Sequence, residues 1–168
     1  MPAIATRSAQ HAIAIDIVVE SALWSAQPGA EDAVQRAIEA AAASQGKAGE
    51  IAVLLTDDAA IRTMNAQWRG IDRPTNVLSF PAGDQALGAN IAHIGDIAIA
   101  CETVAREADA ENKTFLDHLA HLSIHGYLHL IGFDHETDRE AERMEHLETR
   151  ILASLGVADP YADRPGLD

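Results

Sequence analysis

An eleven-residue stretch of the chain carries three histidines at a spacing that suits a metal ion. It reads His-Gly-Tyr-Leu-His-Leu-Ile-Gly-Phe-Asp-His, from His125 to His135. Residues four apart on a helix lie on one face, so His125 and His129 can direct two imidazoles at one point. Gly132 can adopt the left-handed backbone that most residues resist, and such a turn would return His135 to the same point. Three neutral imidazoles that leave a fourth position open are typical of a catalytic zinc site.

These histidines also have other interpretations. Five of the eight lie between His118 and His135, and a helix with several solvated or core histidines is the alternative to a metal site. His118 and His121 continue the same helical stripe, where they could support the ligands from behind or pack in the core, and His121 could pair with His125 as a ligand. Asp134 could accept a hydrogen bond from a ligand imidazole, or it could stabilise the turn.

The histidine spacing is similar to that of the zinc-protease helix, H-E-x-x-H-x-x-G-x-x-H. The glutamate that serves those proteases as general base is replaced here by Gly126. Peptide hydrolysis of that type is therefore disfavoured. The pattern predicts metal-assisted hydrolysis with another proton acceptor, or with none.

Length and composition predict one domain over residues 1–168, with a tail from about residue 157. The chain is 48% apolar and 23% charged, which is ordinary for a globular protein. Its single cysteine, Cys101, excludes an internal disulfide and a thiolate zinc site, and it favours a reducing setting. We see neither a membrane-spanning segment nor a secretory signal, so we expect a cytoplasmic protein with no membrane partner.

Charge is distributed unevenly along the chain. The net charge is −14, whereas nucleic-acid binders usually carry a basic surface. Residues 62–81 nevertheless contain three arginines (Arg62, Arg69 and Arg73) and one acid, while residues 134–168 contain ten acids and four arginines. Arginines there could clamp phosphate through their planar guanidinium groups or could be solvated surface residues. A polyanionic partner should therefore meet the arginine segment and the metal.

Hydrophobic patterning and capping residues predict four strands and five helices. The predicted strands are Ala12–Glu20, Glu50–Thr56, Asn76–Phe80 and Ile94–Ala100. The predicted helices run from Pro28-Gly29 to about Ala43, from Asp57 to about Trp68, and over Glu102–Ala110, Thr114–Ile131 and Asp138–Leu155. Pro81 predicts an edge position or an end for the third strand, and Ala82–Asn90 is predicted to be a loop. We expect an α+β fold, a small mixed four-stranded sheet packed with about five helices. The zinc site is then on a long central helix and the turn after it.

Two distant motifs carry a resemblance to a known family. One is H-G-x-L-H-L-x-G-x-D-H, which ends at His135, and the other is R-G-x-D-R-P-T-N-V-L-S-F-P, from Arg69 to Pro81. With Gly95-Asp96-Ile97 on the fourth strand, they resemble the YbeY family, the bacterial endoribonucleases also called ribosomal RNA maturation factors. The resemblance runs from about residue 54 to residue 152. It departs from the family at Asn76, where Asp is frequent, and at Trp68, where Tyr or Phe is usual.

The resemblance implies a site and a function. His125, His129 and His135 match the family's zinc ligands, which implies one Zn²⁺ per chain, and Arg69 matches its functional arginine. The implied activity is metal-dependent cleavage of single-stranded RNA in 3′-end maturation of small-subunit ribosomal RNA and in ribosome quality control. The implied partners are the ribosome and its assembly factors. We therefore take Arg69 and His125 as catalytic, His121 and Asp134 as candidate supporting residues, and Arg62 and Arg73 as candidate RNA contacts.

Two other functions stay open at this point. A non-catalytic ribosome-assembly factor with a structural zinc would fit the net charge of −14, because such a surface binds free RNA poorly. A different metal hydrolase is the second. The sequence also leaves open whether water or the neighbouring 2′-hydroxyl is the nucleophile, and whether Asp96 contacts the active site or only ends a strand.

Overall fold

The computed structural model describes residues 13–82 and 93–162 and contains a four-stranded sheet with five helices. The strands are β1 (Ile13–Val19), β2 (Gly49–Thr56), β3 (Val77–Pro81) and β4 (His93–Ala100). The helices are α1 (Ala30–Gln45), α2 (Asp58–Arg69), α3 (Cys101–Ala110), α4 (Phe115–Leu130) and α5 (Asp138–Ser154), with a short 3₁₀ helix at Ala22–Ala26. The predicted α+β fold is confirmed. The loop predicted over Ala82–Asn90 lies, beyond Ala82, outside the described residues.

Capping residues set the ends of the helices that matter for the site. The side chains of Asp57, Thr114 and Thr137 each accept a hydrogen bond from a backbone N–H in the first turn of α2, α4 and α5. Gly70 ends α2 in a left-handed conformation with φ of 71°. Arg69 is therefore the last helical residue of α2, and the end of the helix fixes the position of its backbone.

The sheet is mixed, with the strand order β1-β2-β4-β3. β1, β2 and β4 run parallel, and β3 pairs antiparallel with β4, so that Ser79 lies opposite Ile97. β3 is at one edge of the sheet, as its proline predicts, because proline cannot donate a ladder hydrogen bond.

The two faces of the sheet bury different elements, as the alternation of side chains along a strand requires. One face packs its β2 and β4 side chains against α1 and α4 in the main core, among them Ile51, Val53 and Ile97. The opposite face packs α2 through Ile61 against a smaller cluster that includes Leu78. α5 lies outside this arrangement and contacts α1 and α4.

Helix α4 is the central element, in contact with α1, α3, α5, β3 and β4. Side chains on most of its circumference are buried, and the largest fully buried ones are Leu119, Ile124, Tyr127 and Leu128. A helix that is apolar on nearly all sides belongs in a core. None of the described helices combines the length and the apolar character that crossing a bilayer requires.

Residues 157–162, which fall within the predicted tail, contact the domain. Val157 packs against the main core, and the Lys113 ammonium donates a hydrogen bond to the Pro160 carbonyl at 3.3 Å. The side chain of Asp159 accepts hydrogen bonds from Thr149 and from the backbone N–H of Tyr161. This segment therefore has a fixed path behind α4 and α5.

Candidate active site

Three histidines form the partly exposed stripe of an otherwise buried helix. Between residues 118 and 130 of α4, only His121, His125 and His129 are partly exposed, and every other residue is buried. They are spaced four apart, so they share one face. The packing of α4 in the core therefore determines the direction in which these imidazoles point.

The turn after α4 brings in the third histidine. The N–H of Gly132 donates to the His129 carbonyl at 3.2 Å, and the N–H of Phe133 donates to the Leu128 carbonyl at 2.9 Å. These two bonds form the helix-ending motif that needs a left-handed residue, and Gly132 has φ of 104°. Phe133 packs against the core, which fixes the turn and places His135 beside the helix.

The three imidazoles converge on one point. One ring nitrogen from each of His125, His129 and His135 lies within 4.8 Å of the other two. The Nε2 atoms of His125 and His129 are 3.1 Å apart. Tetrahedral zinc, with Zn–N bonds of about 2.0–2.1 Å, holds its ligand nitrogens roughly 3.4 Å apart. The donor set and its spacing therefore fit a zinc ion with one open position.

The protonation of His129 also suits a metal ligand. Burial lowers the pKa of His129, and the neighbouring imidazoles of His125 and His135 lower it further, while a backbone hydrogen bond at Phe133 and the charge of Asp134 oppose the shift. A lower pKa favours the neutral imidazole, whose lone pair is what a metal binds.

Arg69 lines one cavity together with the three histidines. Its guanidinium donates a hydrogen bond to the backbone carbonyl of Ser79 at 3.0 Å. Ser79 in turn donates from its hydroxyl to the Gly126 carbonyl of α4 at 2.8 Å. One residue of β3 therefore links the arginine to the helix that carries the histidines.

A cavity of about 670 Å³ contains most of the residues that the sequence analysis selected. Its lining includes all three histidines of the cluster together with Arg69, Arg73 and Asp134. The position of a protease-type glutamate is closed: a Cβ on Gly126 would lie 3.2 Å from side-chain atoms of Ile97, Ser79 and Val77. A side chain at position 126 would therefore meet both strands rather than enter open space.

Asp134 lines the cavity but does not bond to a ligand imidazole, and three other residues named from the sequence lie outside the lining. Asp134 accepts a hydrogen bond from the backbone N–H of His135 at 2.8 Å, a contact that stabilises the turn. Arg62 forms a two-bond ion pair with Asp72, at 2.8 and 3.2 Å, and does not line the cavity. Asp96 is exposed and contacts His93 at 3.1 Å, away from the cavity lining. His121 contacts an acid of α5 rather than the cavity.

That acid, Glu148, is the residue that sequence reasoning missed. It is fully buried, and its carboxylate oxygens lie 2.7 Å from His121 Nε2 and 2.7 Å from His125 Nδ1. The signal was present in the helical pattern: position 148 falls on the stripe of Met144, Ile151 and Leu152, all of which are buried. A carboxylate on the apolar face of an amphipathic helix needs a buried partner.

Comparisons with known proteins agree with this geometry. A family model described as "Endoribonuclease YbeY" matches residues 20–156. A protein named Endoribonuclease YbeY from Bradyrhizobium sp. (strain BTAi1) is 59% identical over 161 residues, which cover 91% of this chain and 95% of that protein. One of the same name from Bradyrhizobium diazoefficiens is 56% identical, over 90% of this chain and 86% of that protein.

A solved structure is similar over nearly the full length. The solution structure of TM1509 from Thermotoga maritima aligns with a TM-score of 0.53 and 26% identity, covering 92% of this chain and 99% of that one. The matched region of the family model contains all four residues at the centre of the cavity, Arg69, His125, His129 and His135. On these matches and this geometry, the chain belongs to the YbeY family of endoribonucleases.

Proposed function

We propose that this chain is a zinc-dependent endoribonuclease that cuts single-stranded RNA. We further propose that it acts in the cytoplasm with the ribosome and its assembly factors, in 3′-end maturation of small-subunit ribosomal RNA and in ribosome quality control. Family membership supports RNA cleavage by an enzyme. The observation that carries the zinc site is the convergence of three imidazole nitrogens in a cavity that Arg69 also lines.

The donor set favours a catalytic metal over a structural one. Structural zinc sites are closed by four protein ligands, whereas catalytic sites use three and leave one position for water or substrate. His125, His129 and His135 would hold the ion. A bound zinc ion would supply Lewis acidity, which lowers the pKa of bound water towards about 7 and withdraws charge from a phosphoryl oxygen.

The protein's own groups then orient and stabilise the RNA. The Ser79 carbonyl holds the Arg69 guanidinium at the cavity, where it can donate hydrogen bonds to the scissile phosphate as negative charge develops on it. Arg73 lines the same cavity and is the proposed contact for an adjacent phosphate. Arg62 already shares its guanidinium with Asp72, so we expect it to contribute less to RNA binding.

The test is cleavage of a labelled single-stranded RNA by zinc-loaded wild-type protein, with His129→Ala purified in parallel. The matched control is His146→Ala, which removes an exposed histidine of α5 that is outside the cavity. We expect cleavage by the wild type and by the control, and none by His129→Ala. Equal cleavage by all three would mean that the activity comes from another site or another protein.

The products identify the nucleophile. A 2′,3′-cyclic phosphate at the new end means that the neighbouring 2′-hydroxyl attacked, and a linear phosphate monoester formed directly means that water attacked. If zinc-loaded wild type cleaves no RNA at all, the enzyme proposal fails and the non-catalytic assembly factor takes its place.

A further inference from the structure

We propose that Glu148 is a positioning residue of the metal centre, which fixes the orientation of His125, and that Tyr161 and His121 hold its carboxylate in place. The proposal rests on the zinc site proposed above and adds to it a support that comes from outside the ligand motif. It assigns to α5 and to the segment after it a part in metal binding.

The first step is the contact with His125. Oε2 of Glu148 lies 2.7 Å from Nδ1 of His125. A carboxylate only accepts hydrogen bonds, so Nδ1 carries the proton, and the lone pair of Nε2 is left for the cavity. That Nε2 is the atom that lies 3.1 Å from the Nε2 of His129. Glu148 therefore selects the tautomer and the ring orientation that a metal requires.

The second step is the support of the carboxylate itself. Its other oxygen, Oε1, lies 2.7 Å from His121 Nε2 and accepts a short hydrogen bond from the Tyr161 hydroxyl. His121 Nε2 is also 3.0 Å from that hydroxyl. With both oxygens engaged, the carboxylate cannot rotate away from His125.

The third step is the burial of Glu148. Its side chain is fully buried, and its two carboxylate oxygens are engaged by His121, His125 and Tyr161. A buried carboxylate is costly unless it is paired, and here one of the pairing groups is a histidine of the proposed metal site.

The fourth step is the path of the chain that delivers Tyr161. Residues 157–162 are fixed by the core contact of Val157 and by the hydrogen bonds of Pro160 and Asp159. The chain after α5 therefore supports the metal centre through one hydroxyl, although it is remote from the ligands in sequence.

A second histidine of α4 is also paired with a carboxylate, and this pair provides the control. His118 Nε2 lies 2.8 Å from Glu107, and His118 is 4% exposed and absent from the cavity lining. Glu107→Gln weakens a pair of the same kind, whose histidine is not one of the three proposed ligands. Glu148→Gln keeps the volume of the side chain but replaces one acceptor oxygen with a donor.

The experiment measures the zinc dissociation constant by competition with a chromophoric chelator, using Glu148→Gln, Tyr161→Phe and Glu107→Gln. We expect Glu148→Gln to weaken binding by about 10- to 100-fold. Tyr161→Phe is expected to weaken it less, and Glu107→Gln to leave it unchanged. Thermal unfolding of the zinc-free proteins by circular dichroism identifies any variant that has lost its fold.

A second readout is independent of the metal. In the zinc-free protein, ¹⁵N chemical shifts of the ring of His125 should report a single Nδ1-protonated tautomer, and Glu148→Gln should convert it into a mixture. Unchanged zinc affinity and tautomer in a folded Glu148→Gln variant would overturn the proposal, as would an equal loss in Glu107→Gln. Those outcomes leave RNA cleavage by the wild type intact, whereas a wild type that binds no zinc would overturn the proposed function itself.

Discussion

Arg69 contributes to the site through a single guanidinium that the backbone of β3 holds in position. It contacts the Ser79 carbonyl, and no hydrogen bond joins it to the described ligand histidines. Its proposed effect on catalysis is therefore separable from metal binding. This separation distinguishes a residue that stabilises charge on the substrate from one that assembles the site.

Arg69→Ala should lower kcat for RNA cleavage by about 10²- to 10³-fold, the usual effect of removing one donor to a developing charge. Zinc affinity should stay unchanged. Arg69→Lys should recover little, because an ammonium lacks the planar pair of donors. Arg36→Ala on the exposed side of α1 is the control for a lost positive charge. A parallel fall in zinc affinity would show that Arg69 has a structural role instead.

A second feature at the scale of single residues is the buried hydroxyl of Tyr127. Its side chain is fully buried, and its hydroxyl has no hydrogen-bond partner among the described residues. Burial raises its pKa from 10.0 to about 12. The neutral form is therefore strongly preferred in the folded state. The contribution of the neutral tyrosine to the free energy of unfolding is fully present below pH 10. It is lost as the pH rises to about 12, because only the unfolded chain ionises over that range.

Tyr127→Phe should increase the free energy of unfolding at pH 7 by about 1 kcal/mol, because it removes an unsatisfied buried hydroxyl. The advantage over wild type should grow above pH 10, where wild type begins to lose stability. Urea denaturation at pH 7 and near pH 10.5 measures both effects. Tyr161→Phe is the matched control, since its hydroxyl is hydrogen-bonded and its loss should destabilise the protein. A destabilised Tyr127→Phe variant would contradict this account.

At the scale of elements, the close approach of α4 to β3 and β4 determines the shape of the cavity. Gly126 permits that approach, because a Cβ there would be 3.2 Å from atoms on both strands. Ser79 then hydrogen-bonds across the contact and holds Arg69 with its carbonyl. Because residue 126 has no side chain, α4 lies close to β3, and this determines the distance between Arg69 and the histidines.

Gly126→Ala should destabilise the protein by about 1–3 kcal/mol through overpacking, a cost reduced by the higher helix propensity of alanine. It should also lower kcat in the variant that remains folded, because α4 must move away from Ser79. Urea denaturation and RNA cleavage at 20 °C separate the two effects. Unchanged stability together with unchanged kcat would contradict this prediction. It would mean that α4 can move away from β3 and β4 without a cost in free energy.

The elements themselves were predictable because local signals specify them. Caps such as Thr114, alternation along β2 and β4, and Gly132 at the end of α4 fixed their positions to within a few residues. The cluster of three histidines was predictable for the same reason, since its members are close in sequence. The order of the strands was not, because pairing depends on contacts between distant segments.

Glu148 and Tyr161 could not be placed from the sequence for the same reason. Glu148 contacts His121 and His125, and Tyr161 contacts His121, only when α5 and residues 157–162 pack behind α4. In the sequence, Glu148 is one of ten acids in residues 134–168 and differs from the others only by its place on the apolar stripe. Arg69 was identified by a family motif, and its contact with Ser79 emerged only from the fold.

At the scale of the whole molecule, metal binding should be visible as stability. A ligand that binds only the folded state at about 100 times its Kd adds about 2.7 kcal/mol, which raises the midpoint of a domain of this size by roughly 5–10 °C. Zinc should produce such a shift in wild type, EDTA should reverse it, and His129→Ala should show neither. Calorimetry of zinc-loaded and EDTA-treated samples measures it. An equal shift in His129→Ala would place the metal elsewhere.

The three histidines proposed as zinc ligands lie within residues 125–135, and this has a consequence for the order of events when the protein is made. Closing so short a loop costs little entropy, so an unfolded or nascent chain can already chelate zinc weakly. The gain in midpoint should therefore level off at high zinc, once the denatured chain is also occupied. Zinc can thus bind before the chain folds, whereas Arg69 and Glu148 approach the histidines only when the chain folds.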